Sequence, residues 1–400
     1  MTENLLIILR SGGIAAALLV ISVLLTLPGA DKRANRCLAL LLAILVLNLA
    51  HGFYTQSTIL ETMPYLFMLG FPTYLGLGPL LYFYTRALTD AEWTFGWNHC
   101  LHFLPLALTW LLLLPIFLQP PEVKREMIEL SRSAGAGQWG VVFIAYVPIV
   151  LSLVGYSVAC LRQLRRHQTR ILDEFSSIEQ VNLNWLRGLA VFMILISLSV
   201  LLPVPEGSPR LFWFKIISVT LIFYIGHMGI RQPLIFRPGR GGPNSNSEVA
   251  AGTPSASTLE SRPTDGELNV TASRKYQNTG LSDADAQHYW AQLQTLIEAD
   301  RPYLDPDLTL AELAQKLEVH PAQLSQIINA CAQKNFYDFI NERRIQIAQD
   351  LLLEQDGRWT ILDIALEAGF NSKSTFYSQF KKHSGMTPTA FRRRAQKSPA

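Results

Sequence analysis

From Lys373 onward the sequence carries seven cations (Lys373, Lys381, Lys382, Arg392, Arg393, Arg394 and Lys397) and no acid. Small hydroxyls stand among the first of them: Ser374, Thr375 and Ser378 share an outward helical face with Lys373 and Lys381. Such a face suits a polyanion in a groove. Hydroxyls and short donors reach base edges, while Lys381, Lys382 and Arg392 are placed to hold phosphates. An ordinary solvated amphipathic helix carries similar residues, so the neighbouring pattern has to decide. No competing chemistry stands elsewhere. There is no His-Glu-x-x-His and no Gly-x-Ser-x-Gly. The four cysteines, Cys37, Cys100, Cys160 and Cys331, form no Cys-x-x-Cys pair, so neither a metal site nor a disulfide framework nor a cofactor is indicated. An enzyme is the least favoured class.

The elements that must position this face are legible upstream. Ile361, Ile364, Ala365 and Ala368 recur at helical spacing. Gly369 then offers a helix stop at positive φ, and Phe370 follows as a plug. Asn371-Ser372 caps a second helix, whose Phe376 and Phe380 lie four apart on one inward face. This is a helix-turn-helix over about 360–384. A second copy lies at about 308–332. Thr309 and Glu312 have capping-box spacing, and Leu310, Leu313, Ala314 and Leu317 are apolar. Glu318-Val319-His320 is its turn, and Pro321 suits the first position of the next helix. There Leu324, Ile327 and Ile328 pack while Ala322, Ser325, Gln326 and Asn329 face out. A helix over about 336–353 connects the two.

The order Asp363-Ile364-Ala365, Gly369-Phe370, Ser372, Ser374, Phe376, Phe380-Lys381-Lys382, Gly385, Thr387-Pro388 and Phe391-Arg392 resembles the signature of AraC-type transcription regulators. The resemblance runs from about 281 to 394, under a third of the 400 residues. It implies two helix-turn-helix units on one long helix, with double-stranded DNA and RNA polymerase as partners. The helices 321–332 and 372–384 would enter successive major-groove segments, ~34 Å apart. By position, Ala322, Ser325 and Gln326 match base-contacting places in the first, and Lys373, Ser374, Thr375 and Ser378 those of the second. Gln326 and Ser378 stand where many members have arginine. Leu313, Leu324, Ile364, Ala365, Gly369, Phe370, Phe376, Phe380 and Pro388 would form the domain core.

The front of the chain is a different material. Residues overall are 49% hydrophobic and only 16% charged, an excess concentrated before residue 237. Seven stretches are long enough to cross a bilayer, at about 5–27, 37–59, 65–88, 101–118, 139–161, 186–204 and 211–230. Each is apolar all round. The first is too long for a signal peptide and has no Ala-x-Ala site after it. Lysine and arginine favour the odd-numbered loops and the following tail, twelve against four. That puts the N-terminus outside and the C-terminal part in the cytoplasm. The expectation is an all-α, multi-pass inner-membrane protein: seven transmembrane helices (1–236), a Gly/Pro/Ser-rich flexible linker (237–280) and a DNA-binding domain (281–400). Local strings such as Gly78-Pro79-Leu80-Leu81-Tyr82-Phe83-Tyr84, Asn184-Trp185-Leu186-Arg187 and Gly229-Ile230-Arg231-Gln232-Pro233 resemble the membrane halves of bacterial membrane-bound AraC-type regulators.

Polar groups in lipid are costly and often functional. Asn48, His51, His102 and His227 are the candidates, either as a sensor for a signal ligand that the sequence does not specify or as interhelical hydrogen-bond partners. Lys215, near an outer end, snorkels to water. No Asp or Glu lies in the apolar runs, which removes a carboxylate proton relay. The loop 162–185 has Ile171, Leu172, Phe175 and Ile178 at near-helical spacing. It is either a connector or a surface helix placed to touch the DNA-binding domain. The linker is too loose to transmit a rotation, so control would act by docking against inner loops or by pairing two chains as a homodimer. The alternative class is a membrane receptor or transporter whose basic tail is a protein-binding regulatory module.

Overall fold

Leucine- and alanine-rich runs, both strong helix formers, give the first part of the chain its helices. They are α1 (Thr2–Thr26), α2 (Lys32–Tyr54), α3 (Ile59–Thr62), α4 (Tyr74–Thr89), α5 (Leu104–Phe117), α6 (Pro121–Ser133), α7 (Trp139–Glu174), α8 (Asn184–Val200) and α9 (Arg210–Arg231). After them come α10 (Asp283–Asp300), α11 (Leu310–Lys316), α12 (Pro321–Ala332), α13 (Phe336–Glu354), α14 (Ile361–Glu367), α15 (Lys373–Ser384) and α16 (Pro388–Lys397). This is a computed structural model; it describes all residues except 1, 27–30, 56–58, 91, 134–138, 179–181, 203–209, 232–282, 355–358 and 398–400. The expected linker, 237–280, lies outside the described residues. Among the described residues the architecture is all-α, with one isolated β-bridge between Phe175 and Thr309. The chain divides into two units, residues 1–167 with 182–236, and residues 168–181 with 237–400.

In the first unit α1 packs on α2, α2 on α4, and α9 on both α1 and α2. Leu38, Leu42, Leu81, Phe83 and Leu186 form the middle of its core. The outward faces are apolar too: Leu19, Leu111, Leu112, Leu151 and Leu195 are all more than half exposed, and α5 buries none of its residues. Among the described residues four segments are long and apolar enough to cross a membrane: Lys32–Tyr54, Pro64–Thr89, Trp97–Phe117 and Tyr146–Glu174. Three shorter apolar helices, Arg10–Thr26, Asn184–Val200 and Ile216–Arg231, fall on the remaining apolar stretches. Gly78 lets α4 meet α7, since a Cβ there would come within 2.8 Å of the Tyr156 ring.

Two expectations need correction. The stretch 65–88 is not one α-helix. Short 3-10 turns at Pro64–Leu66 and Phe71–Thr73 precede α4, because Pro64 and Pro72 cannot donate to an α-helical ladder. Residues 162–174 are not a separate surface helix either. They continue α7, a single helix of 36 residues, since neither Gly nor Pro interrupts the sequence after Gly155.

The second unit is built on α13. Its first half gives Phe336, Phe339 and Ile340 to a core shared with Leu293, Ile297, Leu308, Leu313, Ala314, Leu324 and Ile328. Its second half gives Ile345, Ala348 and Leu352 to another core, with Ile364, Ala365, Phe370, Phe376 and Phe380. One helix therefore supports two helix-turn-helix units, α11–α12 and α14–α15. Both open on capping boxes. Thr309 N–H donates to Glu312 Oε2 (2.9 Å), and Glu312 N–H to Thr309 Oγ1 (3.2 Å). Thr360 and Asp363 repeat the arrangement, and hydrogen bonds from the Thr360 hydroxyl and N–H hold the Asp363 carboxyl below its ordinary range.

Candidate nucleic-acid interface

The turns fix where each outward helix begins. In the second helix-turn-helix, Gly369 sits at φ 85°. A Cβ there would lie 2.6 Å from the Tyr303 carbonyl oxygen and 2.9 Å from Leu304 Cα, so only glycine satisfies both the conformation and the approach of the 302–304 turn. Ser372 caps α15, its Oγ accepting from Thr375 N–H at 3.3 Å. Phe376 and Phe380 are fully buried, and the rings of Phe370, Phe376, Phe380 and Phe391 form a ladder with successive centroids 5.2, 5.5 and 5.5 Å apart. This ladder sets the rotation of α15. Lys373, Ser374, Ser378, Lys381 and Lys382 are left exposed, and Thr375 half-buried. The Lys373 ammonium rests 5.6 Å above the Tyr377 ring, which orients it without burying it.

Two of the cations expected on phosphates have protein partners. Lys382 Nζ is 2.6 Å from Asp338 Oδ1, across from α15 to α13. An exposed pair of this kind is worth under ~1 kcal/mol, so a phosphate can compete for the lysine. Arg392 is half-buried and donates to the Trp359 carbonyl at 2.9 Å, which makes it a tie between α16 and the start of α14. Lys381, Arg393 and Arg394 are exposed as well.

In the first helix-turn-helix, Glu318 takes positive φ (55°) at the turn. His320, expected only as part of that turn, is also the cap of α12, its Nδ1 accepting from Ala322 N–H at 3.2 Å. Leu324, Ile327 and Ile328 are fully buried. Ala322 is exposed, while Ser325 and Gln326 are half-buried on the outward side. Ser325 Oγ accepts from Asn329 Nδ2 at 3.4 Å. Leu313, Ile364, Ala365 and Pro388 lie inside as well.

Sequence reasoning missed the centre of this unit. Arg344, on α13, is 1% exposed. Its guanidinium donates to the carbonyls of Tyr303 (2.6 Å), Asp305 (2.7 Å) and Ser176 (3.2 Å), and to Ser176 Oγ (3.0 Å). It also lies 5.8 Å over the Phe370 ring. Burial pulls its pKa down to about 10, against the pull of Asp305, Tyr337 and Asp307, so it stays charged at neutral pH. The sequence signal that could have found it is an arginine set on the apolar stripe of Ile340, Ile345 and Ala348.

In the first unit, Asn48 is buried. Its Nδ2 donates to the Ile44 carbonyl (2.9 Å), and its Oδ1 accepts from Thr73 Oγ1 (3.2 Å). His51 is half-buried, against the backbone of Gly70. His102 Nδ1 meets Tyr156 Oη at 2.6 Å. His227 departs from expectation: it is exposed on the outward face of α9 rather than turned into the bundle. The four candidates are therefore not one cluster. Arg10, absent from the expected polar set, is 6% exposed within α1 and donates to the Gly52 carbonyl at 3.4 Å.

Two helix-turn-helix units on one shared helix, each with a polar outward second helix, define a DNA-binding class of domain. Comparison with known proteins agrees on that class. A family profile described as a helix-turn-helix domain matches residues 313–394. The melibiose operon regulatory protein of Escherichia coli K12 is 34% identical over 111 residues, covering 28% of this chain and 35% of that protein. The virulence regulon transcriptional activator VirF of Yersinia enterocolitica is 46% identical over 54 residues, 14% of this chain and 19% of its own. The C-terminal domain of the response regulator yesN from Fusobacterium nucleatum is similar at 28% identity and a TM-score of 0.24, covering 26% of this chain and 98% of that one. On the family profile and the curated relatives, residues 313–394 carry a helix-turn-helix domain of the AraC type, and those relatives are transcription regulators rather than enzymes. It spans about a third or less of the length of the curated relatives it matches.

Proposed function

We propose that this protein is a membrane-embedded, sequence-specific DNA-binding transcription regulator. In this reading the seven apolar helices of residues 1–236 hold it in the cell membrane with the N-terminus outside. The DNA-binding domain is cytoplasmic, and RNA polymerase, a second copy of the chain and an undefined signal complete its partners. The carrying observation is that one polypeptide joins apolar-faced helices to two helix-turn-helix units on α13, with Lys373, Ser374, Ser378 and Lys381 exposed together. Ala322, Ser325 and Gln326 would read bases in the first groove segment, and Lys373, Ser374, Thr375 and Ser378 in the second. Lys381, with Lys382 released from Asp338, would hold phosphates. Asn48, His51 and His102 are the polar groups through which the membrane helices would sense.

The test is selection of duplexes from a randomised pool by the full chain in lipid nanodiscs. The expected product is a two-part motif with its parts about one helical turn apart; recovery of random sequence would end the reading. Orientation is tested separately. A reporter active only outside the cytoplasm should work when fused after residue 132 and fail after residue 240, and the reverse pattern would contradict the topology.

A further inference from the structure

Residues 168–181 lie in sequence between two apolar helices of the first unit, yet they belong to the second. Within it, Phe175, Ser176 and Ser177 form a short strap that bends at Ser176. Phe175 makes the β-bridge with Thr309. Ser176 is 1% exposed and fully engaged. Its N–H donates to the Leu308 carbonyl (3.2 Å) and its hydroxyl to the same oxygen (2.6 Å). Its carbonyl accepts from Asn341 Nδ2 (3.1 Å) and from Arg344 (3.2 Å), and its Oγ from Arg344 again (3.0 Å). Ser177 Oγ donates to Asn371 Oδ1 at 3.1 Å.

These partners are distributed informatively. Leu308 and Thr309 lead into α11, the start of the first helix-turn-helix. Asn371 precedes Ser372, the cap of α15, in the second. Asn341 and Arg344 sit on α13 between the two cores. The strap therefore ties the start of the first unit and the turn of the second to the helix they share. It also supplies two of the four oxygens that Arg344 bonds, and one of the two that Asn341 bonds. Asn341 and Arg344 are almost wholly buried, and taking acceptors from buried donors is costly, most of all for a charged one. The exposed face of α15 stays open with the strap in place, so the strap does not block DNA.

We propose that residues 175–177 are a clamp that holds the two helix-turn-helix units at one mutual orientation, and that the flanking membrane helices regulate DNA binding by seating or withdrawing it. This rests on the function proposed above. A signal that favours the seated state would raise affinity only for DNA that both recognition helices must grip together.

The test uses the full chain in nanodiscs and duplexes selected by the wild-type chain, each compared with a copy in which one half of the motif is scrambled. Ser176→Leu removes the hydroxyl and overfills the buried position. It should bind the two-part duplex about tenfold more weakly, while its binding to the half-scrambled duplex is unchanged. Independently of whether that variant folds, Ser177→Cys with Asn371→Cys, in a chain whose four native cysteines are serine, should cross-link on oxidation and keep wild-type affinity for the two-part duplex. Failure to cross-link, loss of binding on cross-linking, or a Ser176→Leu chain indistinguishable from wild type on both duplexes would each overturn the clamp. A wild-type chain that selects no sequence overturns the functional reading and the clamp with it; one that selects a motif beside an unaffected Ser176→Leu overturns the clamp alone.

Discussion

The two helix-turn-helix units share α13 but are built differently. The first buries α12 through aliphatic side chains, Leu324, Ile327 and Ile328, has a turn with Glu318 at φ 55°, and shows an uncharged outward face of Ala322, Ser325 and Gln326. The second has the ladder of Phe370, Phe376, Phe380 and Phe391, a turn on Gly369 at φ 85°, and cations along α15. The contrast points to a division of labour. On the proposed function, the first helix would have only neutral groups with which to discriminate bases, whereas the second would combine hydroxyls with charges that add sequence-independent affinity.

The largest effect should come from the ladder. Phe376→Ala removes a fully buried ring and should lower stability by ~3–5 kcal/mol, enough to unfold a marginal domain; Leu324→Ala in the other core should cost ~2–5 kcal/mol. Denaturant titration followed by circular dichroism measures both. A Phe376→Ala chain of normal stability that no longer binds DNA would show that α15 is rotated, with Phe376 on its outward face.

The turns separate the two units next. Gly369→Ala forces a Cβ onto the Tyr303 carbonyl at positive φ and should cost at least ~1–3 kcal/mol. Glu318→Gly, at a position that already tolerates a side chain, should shift stability by under ~1 kcal/mol. Equal effects at the two positions would erase the distinction between the turns.

The faces themselves give the finest comparison. Gln326→Ala should relax preference at one base pair by ~1–3 kcal/mol and leave the salt dependence alone. Lys381→Ala should weaken binding to all sequences alike and reduce the salt slope by about one unit. Identical behaviour on selected and random duplexes would remove the division of labour.

Much of the second unit was legible in the sequence because its signals are local. Gly369, the serine cap and phenylalanines four apart define a turn and a helix within a dozen residues, and α12 and α13 likewise begin close to where Pro321 and Phe336 place them. The hidden parts depend on distance or phase. Arg344 bonds a serine 168 residues away, which no periodicity encodes. His227 lies on a helix apolar on all sides, so its sequence carries no phase to say which face turns inward. Arg10 and Lys124 are buried in reach of carbonyls of Gly52 and Phe117, partners that composition cannot name. Prolines 64 and 72 were visible, but the unbroken hydropathy around them hid the division of that stretch.

The proposed regulator is a single chain held in the membrane that reads DNA through both outward helices. Its most direct test is to map, by cross-linking in living cells, the genomic DNA bound by the full chain and by a Lys373→Ala/Ser374→Ala/Ser378→Ala variant, each recovered from the membrane fraction. The wild type should occupy discrete sites sharing a two-part motif, and the variant should lose them while the protein stays in the membrane. Recovery of the wild-type chain only from the soluble fraction, or the same sites bound by both chains, would contradict the claim.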